Sequence, residues 1–197
     1  MSLFVFCVSA VDKVTLSAIE KLGATVSNVS QKSSELEVDF HLLGKELSDK
    51  DLPKISALKE VVTLHLGGTK ITSGGLVHLN TFLSLRRLHL ERTKVDDAGL
   101  AHLKGLSSLE YLNLYDTAVT DKGLEHLTEL KELRRLYLWQ TKATDAGVGR
   151  LQKALPNLVI DTGADLSALP AQALAGTLCL DEEDGIDPTP AVTGLDA

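Results

Sequence analysis

The sequence predicts an α/β solenoid, a right-handed horseshoe arc with a parallel sheet on its concave face and short helices on its convex face. Three observations carry this. All six histidines of the 197-residue chain fall on two ladders with a rung of 24 residues, His41, His65, His89 and His78, His102, His126, so one structural unit recurs at that period. Units open on a Leu-x-Leu pair, the alternation of a short strand with one buried face. They then change period, with leucines spaced by three behind a residue able to cap a helix.

Taken in order, units begin at Phe40, Leu64, Leu88, Leu112 and Leu136, and their spacing is kept until an extra residue near Ala154. Leu64 and Leu66, Leu88 and Leu90, Leu112 and Leu114, Leu136 and Leu138 are expected to point inward. Thr69, Thr93, Thr117 and Thr141 form a column where the chain turns from the strand to the helix side. Their hydroxyls are expected to bond backbone groups that the turn leaves unpaired, so the column is architectural rather than catalytic. Thr72, Asp96, Thr120 and Thr144 are the expected helix N-caps. Leu124, Leu127 and Leu130 exemplify the apolar helix face, and His78, His102 and His126 pack beside that face on the convex side.

The ends depart from the repeat. Residues 1–38 are expected to form an α/β capping segment: an edge strand at 3–8, an amphipathic helix over 15–22 stopped by Gly23, then apolar residues leading into the first regular strand at 36–40. Residues 39–160 hold five repeats, ending on a last short strand at 158–160. Residues 161–197 make a C-terminal cap, with a turn of helix at 168–175, and an acidic tail whose composition reads as disordered. That tail lacks the alternating ligands and glycine of a calcium loop.

Composition narrows the function. The formal charge is −7, and residues 161–197 hold eight acidic residues and no Lys or Arg, so the repeat body is close to neutral. This discourages nucleic acid as a partner. Cys7 and Cys179 lie near opposite ends and make neither a disulfide framework nor a paired metal motif. The apolar stretch 3–11 is too short to cross a bilayer and carries no signal-peptide pattern, so the chain reads as soluble.

Four columns beside the strand leucines are expected on the concave face: Asp39, Thr63, Arg87, Tyr111, Arg135; His41, His65, His89, Asn113, Tyr137; Leu43, Gly67, Glu91, Tyr115, Trp139; and Gly44, Gly68, Arg92, Asp116, Gln140. They contain every tyrosine and the only tryptophan of the chain. Aromatic and Arg side chains bury much area at low entropic loss. Trp139, Tyr137, Tyr115, Tyr111 and Arg135, rimmed by Arg87, Arg92 and Glu91, are therefore the candidate partner-binding residues. Packing of the aromatics on one another, or the C-terminal tail folding over Trp139, are the structural alternatives. His41, His65 and His89 are weak metal candidates, since no carboxylate or thiol column completes a site. His89 with Glu91 or Asp116 is the one catalytic constellation, on an open face that does not exclude water, so no enzyme and no cofactor are expected.

The units, with their T-x-V-T-D-x-G-L-x-H-L core, resemble the leucine-rich repeat family over residues 40 to about 160. LHLERTKV, LEYLNLYDTAVTDKGLEHL and LYLWQTKATDAGV further resemble the C-terminal repeat region of planctomycete-type proteins with a cytochrome c-like domain upstream. The resemblance implies a binding module that keeps company with a haem domain in a periplasmic or envelope-associated parent. This chain has no Cys-x-x-Cys-His of its own. The function expected is non-catalytic binding of a protein or peptide through the concave face. Carbohydrate binding on the aromatic ladder, or service as a docking or spacer module of a haem-containing redox protein, are the alternatives.

Overall fold

The structure, a computed structural model, describes residues 13–30, 33–40, 44–58 and 60–163. The expected edge strand at 3–8, the turn of helix at 168–175, the acidic tail, both cysteines, His41 and Leu43 lie outside these residues. Helix α1 (Lys13–Glu20) takes the place of the expected helix at 15–22, and Gly23 follows it at φ 94°. Strand β1 (Thr25–Asn28) then pairs antiparallel with β2 (Leu36–Asp39). From β2 onward every pairing is parallel, through β3 (Val61–His65), β4 (Arg87–His89), β5 (Tyr111–Asn113), β6 (Arg135–Tyr137) and β7 (Val159–Asp161), in chain order. This is the predicted solenoid.

Between strands the chain makes a short helix and turns back. Helices α2 (Leu52–Ile55), α3 (Asp97–Leu100) and α4 (Asp121–Glu125) each occupy about one turn, and α5 (Asp145–Ala154) is longer. Much of the rest of the convex side is 3-10 helix, at Gly75–Thr81, Ala101–Leu103 and His126–Glu129. Leu124 near the end of α4, Leu127 in the 3-10 turn and Leu130 just after it are spaced by three and all turn inward. Leu127 and Leu130 are fully buried and Leu124 nearly so. The strand leucines 64, 66, 88, 90, 112, 114 and 136 are also fully buried. Each stabilises the array by about 1.5–3 kcal/mol relative to exposure.

The threonine column behaves as expected. Thr69, Thr93, Thr117 and Thr141 donate their hydroxyls to the carbonyls of Leu66, Leu90, Leu114 and Leu138, at 2.6 to 2.8 Å. The N-cap column does more than cap. Thr120 accepts from Lys122 N–H, and both its own N–H and its hydroxyl donate to the Asp97 carboxylate of the preceding unit, at 2.7 Å each. Asp121 holds Thr144, and Asp49 holds Thr72, in the same way. The glycine of the Thr-Asp-x-Gly core is explained by this staple: a Cβ on Gly123 would lie 2.5 Å from Asp97 Oδ1. At one joint the side-chain bond is reversed, with the Ser73 hydroxyl donating to Asp96 Oδ1 at 2.5 Å while Asp96 N–H donates to Ser73 Oγ at 2.9 Å.

Two features of the expected register are corrected. Val38 pairs with Leu64 and Asp39 with His65, so the first interval between strands is 26 residues, not 24. Phe40 therefore matches Leu66: Phe40 N–H donates to His65 O as Leu66 N–H donates to His89 O. The two extra residues fall between Phe40 and Leu47, where the later units need a shorter turn. At the other end, Arg135 pairs with Val159 at an interval of 24, so the extra residue near Ala154 is absorbed within the unit and does not displace β7.

Candidate functional site

Parallel pairing puts Thr63, Arg87, Tyr111, Arg135 and Val159 side by side on adjacent strands, with His65, His89, Asn113, Tyr137 and Asp161 forming the next row. Adjacent rungs lie close enough for direct side-chain contact. The rings use this to stack along the sheet. His65 and His89 are 4.0 Å apart between centroids and inclined by 20°, His89 and Tyr111 are 4.7 Å apart, and Tyr111 and Tyr137 are 5.3 Å apart. The stack thus crosses from one row to the other and back. It can do so because Asn113, directly beside His89, is turned to its own chain, where its Oδ1 accepts Tyr115 N–H at 3.0 Å.

Charges flank this spine. Glu37 Oε1 lies 3.1 Å from His65 Nε2, and the hydrogen bond from His65 holds the Glu37 carboxyl below its ordinary pKa, with the positive field of Arg87 a lesser contribution. Arg87 stands over the Tyr111 ring at 5.5 Å. At the far rim, Arg92 stands 5.2 Å from the Tyr115 centroid and donates to its hydroxyl at 3.5 Å. Glu91 lies 3.8 Å from His89 Nδ1, and its side chain occupies the space that a Cβ at Gly67 would need. Arg135 is partly buried on β6 and has no ion pair or hydrogen bond to its side chain among the described residues.

The structure therefore gathers Tyr111, Tyr137, Arg87 and Arg135 on the strands, pairs Arg92 with Tyr115 at the rim, and sets Glu91 beside His89. Trp139 stands apart from the stack: its indole N–H donates to Asp161 Oδ1, and the Gly163 backbone lies against its ring. Asp161 and Gly163 hold one side of the tryptophan, which narrows the surface it offers. The expected histidine column His41, His65, His89 does not form as drawn, because Asp39 occupies the rung beside His65. Among the described residues no three His, Cys, Asp or Glu side chains are placed to hold a metal ion. His89 is buried between two rings, and its separation from Glu91 exceeds a hydrogen bond.

Sequence reasoning missed Glu37, Asp161 and Gly163. Glu37 was hidden by the two-residue offset of the first unit. The signal that finds it is the alternation of Leu36, Val38 and Phe40, which continues two steps beyond Phe40 toward the N-terminus. Asp161 and Gly163 follow from adding 24 to Tyr137 and Trp139.

Repeated short strand, threonine turn and short helix define a leucine-rich-repeat solenoid, with its sheet on the concave face. The Leucine Rich repeat family model matches residues 105–127. Internalin F of Listeria monocytogenes is similar at 23% identity and a TM-score of 0.51, over 58% of this chain and 32% of that one, and supports the fold. Internalin C2 of the same organism is 27% identical, with a TM-score of 0.49, over 63% of this chain and 48% of that one. The ectodomain of the receptor kinase SOBIR1 from Arabidopsis thaliana is 17% identical, with a TM-score of 0.46, over 77% of this chain and 92% of that one. The chain thus spans about half of the one internalin and a third of the other. No curated protein sequence matches it. Among the described residues no helix is long and apolar enough to cross a membrane.

Proposed function

We propose that this solenoid is a non-catalytic module that binds a protein or peptide segment along the concave, strand-side face. One observation carries the reading: partly exposed aromatic and guanidinium groups on adjacent strands, Arg87, Tyr111 and Arg135 in one row and Tyr137 in the next, are positioned by the sheet, with Arg87, Tyr111 and Tyr137 also in ring contact. Preorganised aromatic and Arg side chains lose little freedom on binding and dominate protein interfaces. Tyr115, Arg92, Glu91 and Trp139 extend the surface toward the rim.

The ring stacking weighs against the carbohydrate alternative. A pyranose needs an open aromatic face, whereas Tyr111 has His89 and Tyr137 as ring neighbours. The narrower likeness to repeats that follow a cytochrome c-like domain makes a haem domain of the same protein one candidate occupant of this face.

Selection from a displayed random-peptide library tests the reading, with each enriched peptide titrated against the parent and against Tyr111→Ala and Tyr137→Ala. Loss of a hot-spot residue is expected to weaken capture by about 30-fold. Peptides that bind the parent and both variants alike would remove the concave face as the site.

A further inference from the structure

We infer that the segment taken by this face is acidic, and that the Arg135 guanidinium receives its carboxylate. The inference rests on the concave-face reading above and adds the chemistry of the partner. The cations of this part of the surface have company: Arg87 and Arg92 lie over tyrosine rings, Arg86 pairs with Glu35 at 3.3 Å, and Arg134 approaches Glu132 at 3.8 Å. Arg135 is the exception, partly buried with no acceptor for its five N–H donors among the described residues. A planar guanidinium in that position matches a carboxylate in bidentate geometry.

Its place in the sheet says what must surround that carboxylate. Arg135 lies between Tyr111 on β5 and Val159 on β7, two residues before Tyr137 on its own strand. An acidic side chain docked there has apolar and aromatic surface on both flanks, so the best ligand alternates carboxylates with apolar or aromatic residues. No long-range field favours such a ligand, because the repeat body is close to neutral and the whole chain carries a charge of −7. Attraction is therefore local to the Arg87, Tyr111, Arg135 row and not a general electrostatic effect. A phosphodiester backbone is disfavoured by the same geometry: along the sheet it would meet Glu91, Asp116 and Asp161, and the Arg135 guanidinium offers one phosphate contact where nucleic-acid affinity needs several.

The test uses the full chain and defined probes: a random Glu-Tyr copolymer, a Lys-Tyr copolymer and polyuridylate, each titrated by a direct binding assay. The expected result is binding of the Glu-Tyr copolymer, weakened about tenfold or more in Arg135→Gln and partly restored in Arg135→Lys. The melting temperature should be unchanged in both variants, since the Arg135 head group has no bond within the described residues to lose. Failure to bind the Glu-Tyr copolymer, binding indifferent to Arg135→Gln, or preference for the Lys-Tyr copolymer or polyuridylate overturns the proposal. Where one of the probes binds in those cases, Tyr137→Ala separates the two readings. A probe lost in Tyr137→Ala but retained in Arg135→Gln leaves the concave site standing with a different partner chemistry, and a probe indifferent to both removes the site as well.

Discussion

Arg92, Asp116 and Gln140 have φ of 54°, 53° and 54°, at the corner where Gly68 has 69°. A side chain there costs about 1–2 kcal/mol in the left-handed region, whereas glycine is unstrained and gives back part of the gain as unfolded-chain entropy. Replacing exposed Gln140 by Gly is therefore expected to stabilise the protein by about 0.5–1 kcal/mol, a rise in melting temperature of roughly 1–4 °C by calorimetry. The same change at Arg92 relieves the same strain but removes the cation over Tyr115. That corner shows what the sequence made legible at this scale. Column membership could be counted from the 24-residue spacing, but the backbone conformation of three non-glycine residues could not, since of that column only Gly68 is both a glycine and at positive φ.

The joints between units are polar and directional. In three of them an aspartate accepts two bonds from the capping threonine of the next unit. In the fourth, Asp96 N–H still donates to the preceding unit, to Ser73 Oγ, but the side-chain bond runs the other way, from the Ser73 hydroxyl to the Asp96 carboxylate. Ser73→Asp alone would set two carboxylates against each other and is expected to cost about 1–2 kcal/mol. Adding Asp96→Thr recreates the arrangement of the other joints and should bring stability to within about 0.5 kcal/mol of the parent in urea unfolding. A double variant no more stable than Ser73→Asp would contradict the pairing. The Thr-Asp-x-Gly core was visible in the sequence as a motif. Its reason was not, because the partner of each aspartate lies 23 residues away, and the need for glycine appears only when the preceding unit is in place.

Across the whole molecule, several carboxyls are tuned in one direction. Asp121 is held below its ordinary pKa by the Thr144 N–H and hydroxyl, Asp96 by the Ser73 hydroxyl, and Glu37 by His65. A carboxyl with a lowered folded-state pKa contributes stability that is complete above its unfolded value and disappears as pH falls through the folded value. The contribution of these carboxyls should accordingly be lost on the acid side, the melting temperature shifting downward below about pH 4, where unfolded Asp and Glu begin to take up protons. An unchanged melting temperature at pH 3 would contradict this. The leucine framework and the threonine column could be read from sequence because they repeat. The strand register of the first unit, and the ring stack that changes rows at Asn113, could not, since both depend on where the repeat is broken.

The staple also governs how such a chain can lengthen. A tandem copy of the unit carrying Thr120 and Asp121 would arrive with a threonine for the aspartate before it and an aspartate for the threonine after it, so both new seams would match. A tandem copy of the unit carrying Asp96 and Asp97 would set carboxylate against carboxylate at its first seam. Growth by duplication is thus open at one position of the array and closed at its neighbour, and a two-residue pattern at each unit's start decides which.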